Sequence, residues 1–184
     1  MKSSKIIAGV DEVGRGSLIG SVFSAAVILN NVASFSELKD SKKLSEKIRS
    51  KLASKIIKQS LCVSIGVATK DEIDSINIHN ATLLSMKRAI NNLSIKPDFL
   101  QIDGLYAPKT EIESECIVRG DSKIPQISAA SILAKVARDF EMNYLHDKFK
   151  FYNFRQNNGY GTPQHFKAIE CFGKTIYHRE SFLK

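Results

Sequence analysis

The chain has 184 residues, of which 43% are hydrophobic and 25% are charged, a globular composition long enough to bury one proper core. Lysine and arginine number 27 against 19 acidic residues, for a formal net charge of +8. This excess favours a polyanionic partner such as a nucleic acid, although lysine-rich chains also arise without one.

The cysteines and the apolar runs indicate an aqueous, reducing compartment. Cys62, Cys116 and Cys171 are widely spaced and form no metal-ligand pattern, so we expect reduced thiols. The apolar run before the first acid is too short for a signal peptide, and no segment approaches the ~20 apolar residues of a membrane span. We therefore expect a cytoplasmic protein that does not contact the membrane.

The first half of the chain alternates apolar runs with one amphipathic segment. Strands are predicted at residues 5–13, 20–29 and 61–69, the first two joined by a glycine-rich loop. Ser45 is a suitable N-cap for a helix that ends near Ser60. Its apolar face is predicted to consist of Ile48, Leu52, Ile56 and Ile57.

The second half is predicted to contain two strands and two longer helices. The strands span residues 99–102 and 113–119, and the helices span 78–93 and 127–147. The predicted apolar stripes are Ala81, Leu84, Met86 and Ile90 in the first helix, and Ile132, Val136, Phe140 and Tyr144 in the second.

This order of elements predicts an α/β domain with a mixed sheet flanked by helices. We expect residues 1–147 to form the main domain and residues 148–184 a small helical C-terminal extension packed on it. From Asp147 to Lys184 there are seven basic and three acidic residues, interleaved with aromatic ones. Such a segment suits a nucleic-acid surface, and an ordinary solvated helical hairpin is the alternative.

The first strand carries two adjacent acids, Asp11 and Glu12, and turns at once into Gly14-Arg15-Gly16. Neighbouring carboxylates on a packed strand repel each other, and a divalent ion such as Mg²⁺ or Mn²⁺ relieves that repulsion. The glycines open backbone N–H groups to a ligand, and the arginine can bind a phosphate. The run therefore suggests phosphodiester chemistry, although a solvated strand end and turn would look similar.

Two further acids occur in the same context. Asp103 ends the fourth predicted strand, and Asp121 follows the fifth just before the longest helix. Strand ends that are distant in sequence meet in one cleft of an α/β sheet, and four carboxylates there could hold two ions about 4 Å apart. A turn dipeptide at Asp103 and a helix-entry loop at Asp121 are the structural alternatives.

Tyr160 stands between two glycines just before a helix predicted to start near Pro163. A tyrosine in such a loop can present its ring or its hydroxyl group to a nucleotide. Packing of the turn against the domain is an equally good explanation.

Several blocks of sequence resemble, in order and over essentially the whole chain, the bacterial ribonuclease HII family. The blocks are GVDEVGRG at 9–16, DSKKLS at 40–45, QIDG at 101–104, GDSK at 120–123, ISAASILAKVARD at 127–139, GYGT at 159–162 and HRESF at 178–182.

The resemblance implies a ribonuclease H-like catalytic domain and an endonuclease that cuts the RNA strand of RNA/DNA hybrids. It also implies incision beside single ribonucleotides in duplex DNA, leaving 5′-phosphate and 3′-hydroxyl ends. The family's four metal-binding acids fall on Asp11, Glu12, Asp103 and Asp121. Its readers of the ribose 2′-hydroxyl, the group that separates RNA from DNA, fall on Gly14, Arg15, Gly16 and Tyr160.

The chain departs from the usual family pattern at two places. Ser17, Ile19 and Ser21 stand where the family commonly has Pro, Ala and Pro, which should loosen the loop. Asn157 and Asn158 replace a His-Lys pair, which removes a positive charge and should weaken substrate binding.

We expect two-metal hydrolysis with Mn²⁺ or Mg²⁺, Asp11 bridging the ions, by a monomer that binds hybrids or ribonucleotide-containing duplexes. Lys42 and Lys43 are candidate contacts to the nucleic-acid backbone, or simply a solvated pair. The alternatives are ribonuclease HIII, a DNA-junction resolvase and a non-catalytic nucleic-acid-binding module.

Overall fold

Five strands form one mixed sheet in the computed structural model, which describes residues 5–35, 38 and 45–183. They are β1 (Ile7–Val13), β2 (Val22–Leu29), β3 (Ser60–Ala68), β4 (Phe99–Asp103) and β5 (Ser114–Ile117). The order across the sheet is β3-β2-β1-β4-β5. Antiparallel pairing joins β2 to β1 and β3, whereas parallel pairing joins β4 to β1 and β5.

Helices cover both faces of this sheet. The helices are α1 (Glu46–Gln59), α2 (Lys70–Asn91), α3 (Pro125–Lys148), α4 (Phe154–Asn157) and α5 (Pro163–Phe172). Alternate residues of β2 face opposite ways, so Ala25 and Val27 pack with α1 and α3, and Ala26 and Ile28 pack with α2. The predicted α/β architecture, a mixed sheet flanked by helices, is confirmed.

The predicted helix over 78–93 matches the second segment of α2, and the first segment was not predicted. In the structure α2 starts at Lys70, because Thr69 and Glu72 form a capping box, and a non-helical residue, Asn77, interrupts it at φ 67° and ψ 164°. The first segment of α2 buries Ile73 alone, so it carries almost no apolar periodicity from which it could be predicted.

The predicted apolar faces of α1 and α3 are partly wrong. Ile48 and Ile57 are 51% and 57% exposed on α1, and Phe140 and Tyr144 are 70% and 53% exposed on α3. The buried face of α3 includes Arg138, which is 1% exposed. Because Arg138 occupies a core position of α3, the four-residue spacing of apolar residues along this helix indicates a face that is partly exposed.

The segment after α3 is helical, and it packs against the sheet domain. Phe154 and Ala168 join Ile19 and Met142 in one apolar cluster. The division of the chain at residue 147 stays a prediction. No helix in the described part of the chain is long and apolar enough to cross a membrane.

Candidate active site

The parallel pairing of β1 with β4 sets two of the predicted acids side by side. Val10 is in register with Ile102, and both lie in the core between the sheet and α2. Side chains alternate along a strand, so Asp11 and Asp103, one position further on, both point to the α3 face. Adjacent parallel strands therefore bring these two carboxylates together from positions far apart in the sequence.

The chain after β5 brings the third acidic segment to the same place. A 3₁₀ turn at Gly120–Ser122 contains Asp121, which is 4% exposed. The Asp103 carboxylate accepts hydrogen bonds from the backbone N–H groups of Gly120 at 2.6 Å and Asp121 at 3.3 Å. Asp103 thus connects the end of β4 to the turn that precedes α3.

Crowding and burial act on the pair at the end of β1. Asp11 is 5% exposed, and its Oδ1 accepts the Glu12 backbone N–H at 2.7 Å. Burial, followed by the charge of Glu12, raises the pKa of Asp11 well above its usual value, against a hydrogen bond with Ser131. Burial also raises the pKa of Glu12, although Arg15, 3.5 Å away, opposes this rise. Both carboxylates are thus costly to ionise without a further positive charge.

The donor set suits a hard divalent cation. Four carboxylates from β1, β4 and the turn after β5 could supply oxygen ligands, the type that Mg²⁺ and Mn²⁺ prefer. The chemical type of these residues fits such ions, whereas no three His, Cys, Asp or Glu side chains among the described residues are already arranged so that they could hold one.

Two buried arginines shape the loop after β1. Arg179 is fully buried and donates to the carbonyl oxygens of Gly14 at 2.8 Å and Arg15 at 2.9 Å. In a trans peptide the N–H points away from the C=O, so the N–H groups of Arg15 and Gly16 point away from Arg179. Gly14 has φ +95°, and a Cβ there would lie 2.7 Å from Nε of Arg138.

The serines that replace the family's prolines make hydrogen bonds instead. The hydroxyl of fully buried Ser17 lies 2.9 and 3.0 Å from the carbonyl oxygens of Ile19 and Gly159, and it accepts from Arg138 at 2.7 Å. Ser21 donates from its hydroxyl to Glu141 at 2.7 Å. The predicted loosening of this loop is therefore offset by bonds that proline cannot make.

Tyr160 lies against this loop. Its backbone pairs with Ser17 in a single β-bridge, and a Cβ on Gly16 would lie 3.5 Å from the Tyr160 ring. The ring belongs to a residue that is 41% exposed. Arg15 of this loop lies 3.5 Å from Glu12, so the loop contacts both Tyr160 and one of the acids.

Asn157 and Asn158 form the turn that leads to Tyr160. Asn157 donates to the Tyr152 carbonyl at 2.7 Å and accepts the Gly159 N–H at 2.8 Å, and Asn158 accepts from Lys135 at 3.2 Å. A lysine of α3 thus places a positive charge at the turn. Lys42 and Lys43 lie outside the described residues.

Sequence reasoning missed Arg138, Arg179 and Glu141. The first two lie within blocks that carry the family resemblance, which is the signal that could have found them. Their role could not be read from the sequence, because it depends on carbonyl groups far away in the chain.

The fold defines a class of protein, the nucleases of the ribonuclease H type. The structure is similar to that of ribonuclease H2 from Pyrococcus horikoshii, with a TM-score of 0.83 and 28% identity over 95% of this chain and 92% of the other.

The sequence comparisons narrow the class to one family. The model of the family described as Ribonuclease HII matches residues 8–184. The Ribonuclease HII of Alteromonas mediterranea is 51% identical over 97% of this chain and 94% of its own length, and that of Pelagibacter ubique is 52% identical over 97% and 96%. The chain belongs to the ribonuclease HII family.

Family membership confirms the resemblance and the enzyme class. The protein is a ribonuclease H, an endonuclease for the RNA of RNA/DNA hybrids, in a family that uses divalent metal ions. This decides against ribonuclease HIII, a junction resolvase and a non-catalytic binding module.

Proposed function

We propose that the protein also incises duplex DNA at single embedded ribonucleotides, leaving 5′-phosphate and 3′-hydroxyl ends. The observation that carries this proposal is the contact of Tyr160 with the Gly14–Gly16 loop beside the acids. A reader of one ribose next to the cutting site needs no longer stretch of RNA, because the 2′-hydroxyl alone distinguishes the substrate.

In the proposed site, Asp11, Glu12, Asp103 and Asp121 would hold two Mg²⁺ or Mn²⁺ ions. Such ions would supply the positive charge needed to activate a water and to stabilise the departing 3′-oxygen. The Asp103 carboxylate, fixed by the N–H groups of Gly120 and Asp121, keeps the two strand ends together. The positive charge of Arg15 reduces the electrostatic repulsion between Glu12 and Asp103.

The loop provides the proposed recognition of the substrate. The N–H groups of Arg15 and Gly16, directed away from Arg179, are donors for the 2′-hydroxyl and the adjacent phosphate. Tyr160 supplies a ring face or a hydroxyl group at the same place. Lys42 and Lys43 are proposed backbone contacts, and we propose a cytoplasmic monomer.

The acids are tested with Asp11→Asn and Asp103→Asn on a duplex that carries one ribonucleotide, with Mg²⁺ or Mn²⁺ added. Each variant should lose activity on the order of 100-fold or more, because it removes charge from the metal site. Asp71→Asn, at an acid with 87% side-chain exposure, is the matched control and should cleave normally. Near-normal cleavage by either site variant would refute the assignment.

The proposed role of Tyr160 in recognising the ribose is tested on two substrates, the single-ribonucleotide duplex and a long RNA/DNA hybrid. Tyr160→Ala should lower cleavage of the former more than of the latter, because a long hybrid offers many alternative contacts. Tyr160→Phe removes the hydroxyl group and keeps the ring, so it shows which of the two groups contributes to cleavage. An equal loss on both substrates would count against a junction-reading tyrosine.

A further inference from the structure

Two buried histidines lie next to the backbone of Tyr160, the residue proposed to recognise the ribose. His165, in the first turn of α5, and His178, in the C-terminal segment, are both fully buried. Their Nε2 atoms are 3.1 Å apart. The rings of Tyr152 and Phe154 cover the pair, with ring centroids 5.4 Å from His178 and 5.2 Å from His165.

The partners at the two ends fix where the protons lie. Nδ1 of His165 lies 2.9 Å from the carbonyl oxygen of Tyr160, which can only accept, so this nitrogen carries a proton. Nδ1 of His178 lies 2.8 Å from the backbone N–H of Thr175, so this nitrogen accepts. In two neutral rings, His178 must therefore donate from Nε2 to Nε2 of His165.

The surroundings favour this neutral pair. A proton added to Nε2 of His165 would set two N–H groups against each other at 3.1 Å, and one added to Nδ1 of His178 would face the Thr175 N–H at 2.8 Å. Burial lowers the pKa of both histidines. The charged groups that act on His178, Glu180 and Lys174, form an ion pair with each other, and His165 lies near the positive end of the α5 dipole.

The hydrogen bonds that link Thr175, His178 and His165 end at the Tyr160 carbonyl, where the loop after β1 and the C-terminal segment meet. Ser17 forms a β-bridge with Tyr160, and Ile19, two residues later, forms a β-bridge with His178. The Arg179 N–H donates to the Leu18 carbonyl at 2.8 Å, which ties the C-terminal segment to the same stretch.

We propose that His165 and His178 are positioning residues that hold Tyr160 over the Gly14–Gly16 loop. They do so through a chain of hydrogen bonds that runs from the Thr175 N–H through His178 and His165 to the Tyr160 carbonyl. This proposal rests on the proposed function, because it requires Tyr160 to read the substrate. Neither imidazole touches the substrate, and both act through the backbone of Tyr160.

The proton positions are tested directly on the wild-type protein. Proton–nitrogen correlation spectra of ¹⁵N-histidine-labelled protein should show His165 protonated at Nδ1 and His178 protonated at Nε2. A charged ring, or the opposite tautomer at either position, would overturn the proposal without any mutation.

The positioning role is tested by rescue and by coupling. His165→Leu should lower kcat on the single-ribonucleotide duplex about tenfold, because it frees the Tyr160 carbonyl. His165→Asn keeps an amide donor at the place of Nδ1 and should retain most of the activity. His79→Leu, at a histidine on α2, is the control, and thermal unfolding verifies that each variant is folded.

In a Tyr160→Ala background, His165→Leu should cause no further loss, since both changes then remove the same function. The positioning role alone would be overturned by any of three outcomes. These are additive losses of activity in the double variant, equal losses in His165→Leu and His165→Asn, and normal activity of His165→Leu when Tyr160→Ala is impaired. A Tyr160→Ala variant with unchanged cleavage would instead refute the proposed role of Tyr160 without contradicting the inferred histidine tautomers.

Discussion

Arg138 and Arg179 show how single residues shape the loop. Both guanidinium groups are buried, and burial, followed by the positive charge of Arg138, lowers the pKa of Arg179 to about 9. Glu141 pairs with Arg138 at 3.1 Å, and backbone carbonyl oxygens satisfy most other donors. The cost of burying two cations is thus met by the carbonyl groups of the loop that they orient.

Ser17→Ala is a residue-scale test of this arrangement. Ser17 accepts from Arg138 at 2.7 Å in a fully buried setting, so its loss leaves a guanidinium proton poorly satisfied. We expect a loss of about 1–3 kcal/mol in the free energy of unfolding, measured by urea denaturation. Ser54→Ala, at an exposed hydroxyl bonded to the Ser50 carbonyl, should change it by less than ~0.5 kcal/mol. Equal effects would show that the buried network contributes little.

At the scale of elements, two glycines set how closely the helices approach the sheet. A Cβ on Gly9 in β1 would lie 2.2 Å from the backbone of Gln126 in α3, and one on Gly66 in β3 would lie 2.1 Å from the backbone of Ser85 in α2. Neither neighbour is a flexible side chain, so a methyl group must displace a helix. The strand that carries Gly9 also carries Asp11, and α3 carries Ser131, which hydrogen-bonds Asp11.

Gly9→Ala and Gly66→Ala form a matched pair. Each should destabilise the protein by roughly 1–3 kcal/mol, because overpacking moves a helix. At a temperature where both variants are folded, only Gly9→Ala should lower the cleavage rate, since α3 carries Ser131 beside Asp11. Similar cleavage rates in the two variants would show that the separation of β1 and α3 does not control the site.

The elements also show how far the sequence could predict the fold. The strands and α1 are predicted to within a few residues, because apolar runs end at polar turns and Ser45 caps α1. The first segment of α2 escaped prediction since it is polar, and it is fixed by the Thr69 capping box and by Asp74, which accepts from Ser181. That last contact joins distant parts of the chain, and no local pattern encodes it.

At the scale of the whole molecule, the closeness of Asp11 and Asp103 could be predicted from the sequence, whereas the buried residues that support the neighbouring loop could not. Asp11 lies near the end of β1 and Asp103 ends β4, and parallel strand ends meet at one edge of a sheet. No local pattern in the sequence shows that Arg179, His165 and His178 are buried, yet all three are fully buried. Their burial arises because the C-terminal segment returns to the loop after β1, a consequence of the complete fold.

The same buried histidines predict a pH dependence of global stability. Burial, with a contribution from His165, lowers the pKa of His178 from 6.5 to about 4. Between these values the unfolded chain binds more protons than the folded protein, so the free energy of unfolding rises with pH. The stabilisation is complete above about pH 6.5 and is lost as the pH falls towards about 4, by at most about 3 kcal/mol.

Urea denaturation of wild type and His178→Gln across this range isolates the effect. The carboxylates Asp11 and Glu12, whose pKa values are raised, act in the opposite direction, and Glu72, with its pKa lowered to about 2 by Arg88, acts at lower pH. All three remain in both proteins, so they cancel in the difference. The wild type should lose its advantage over His178→Gln as the pH falls from 6.5 towards about 4. A difference that stays constant with pH would mean that His178 keeps an ordinary pKa and that the histidine pair is not held neutral by its burial.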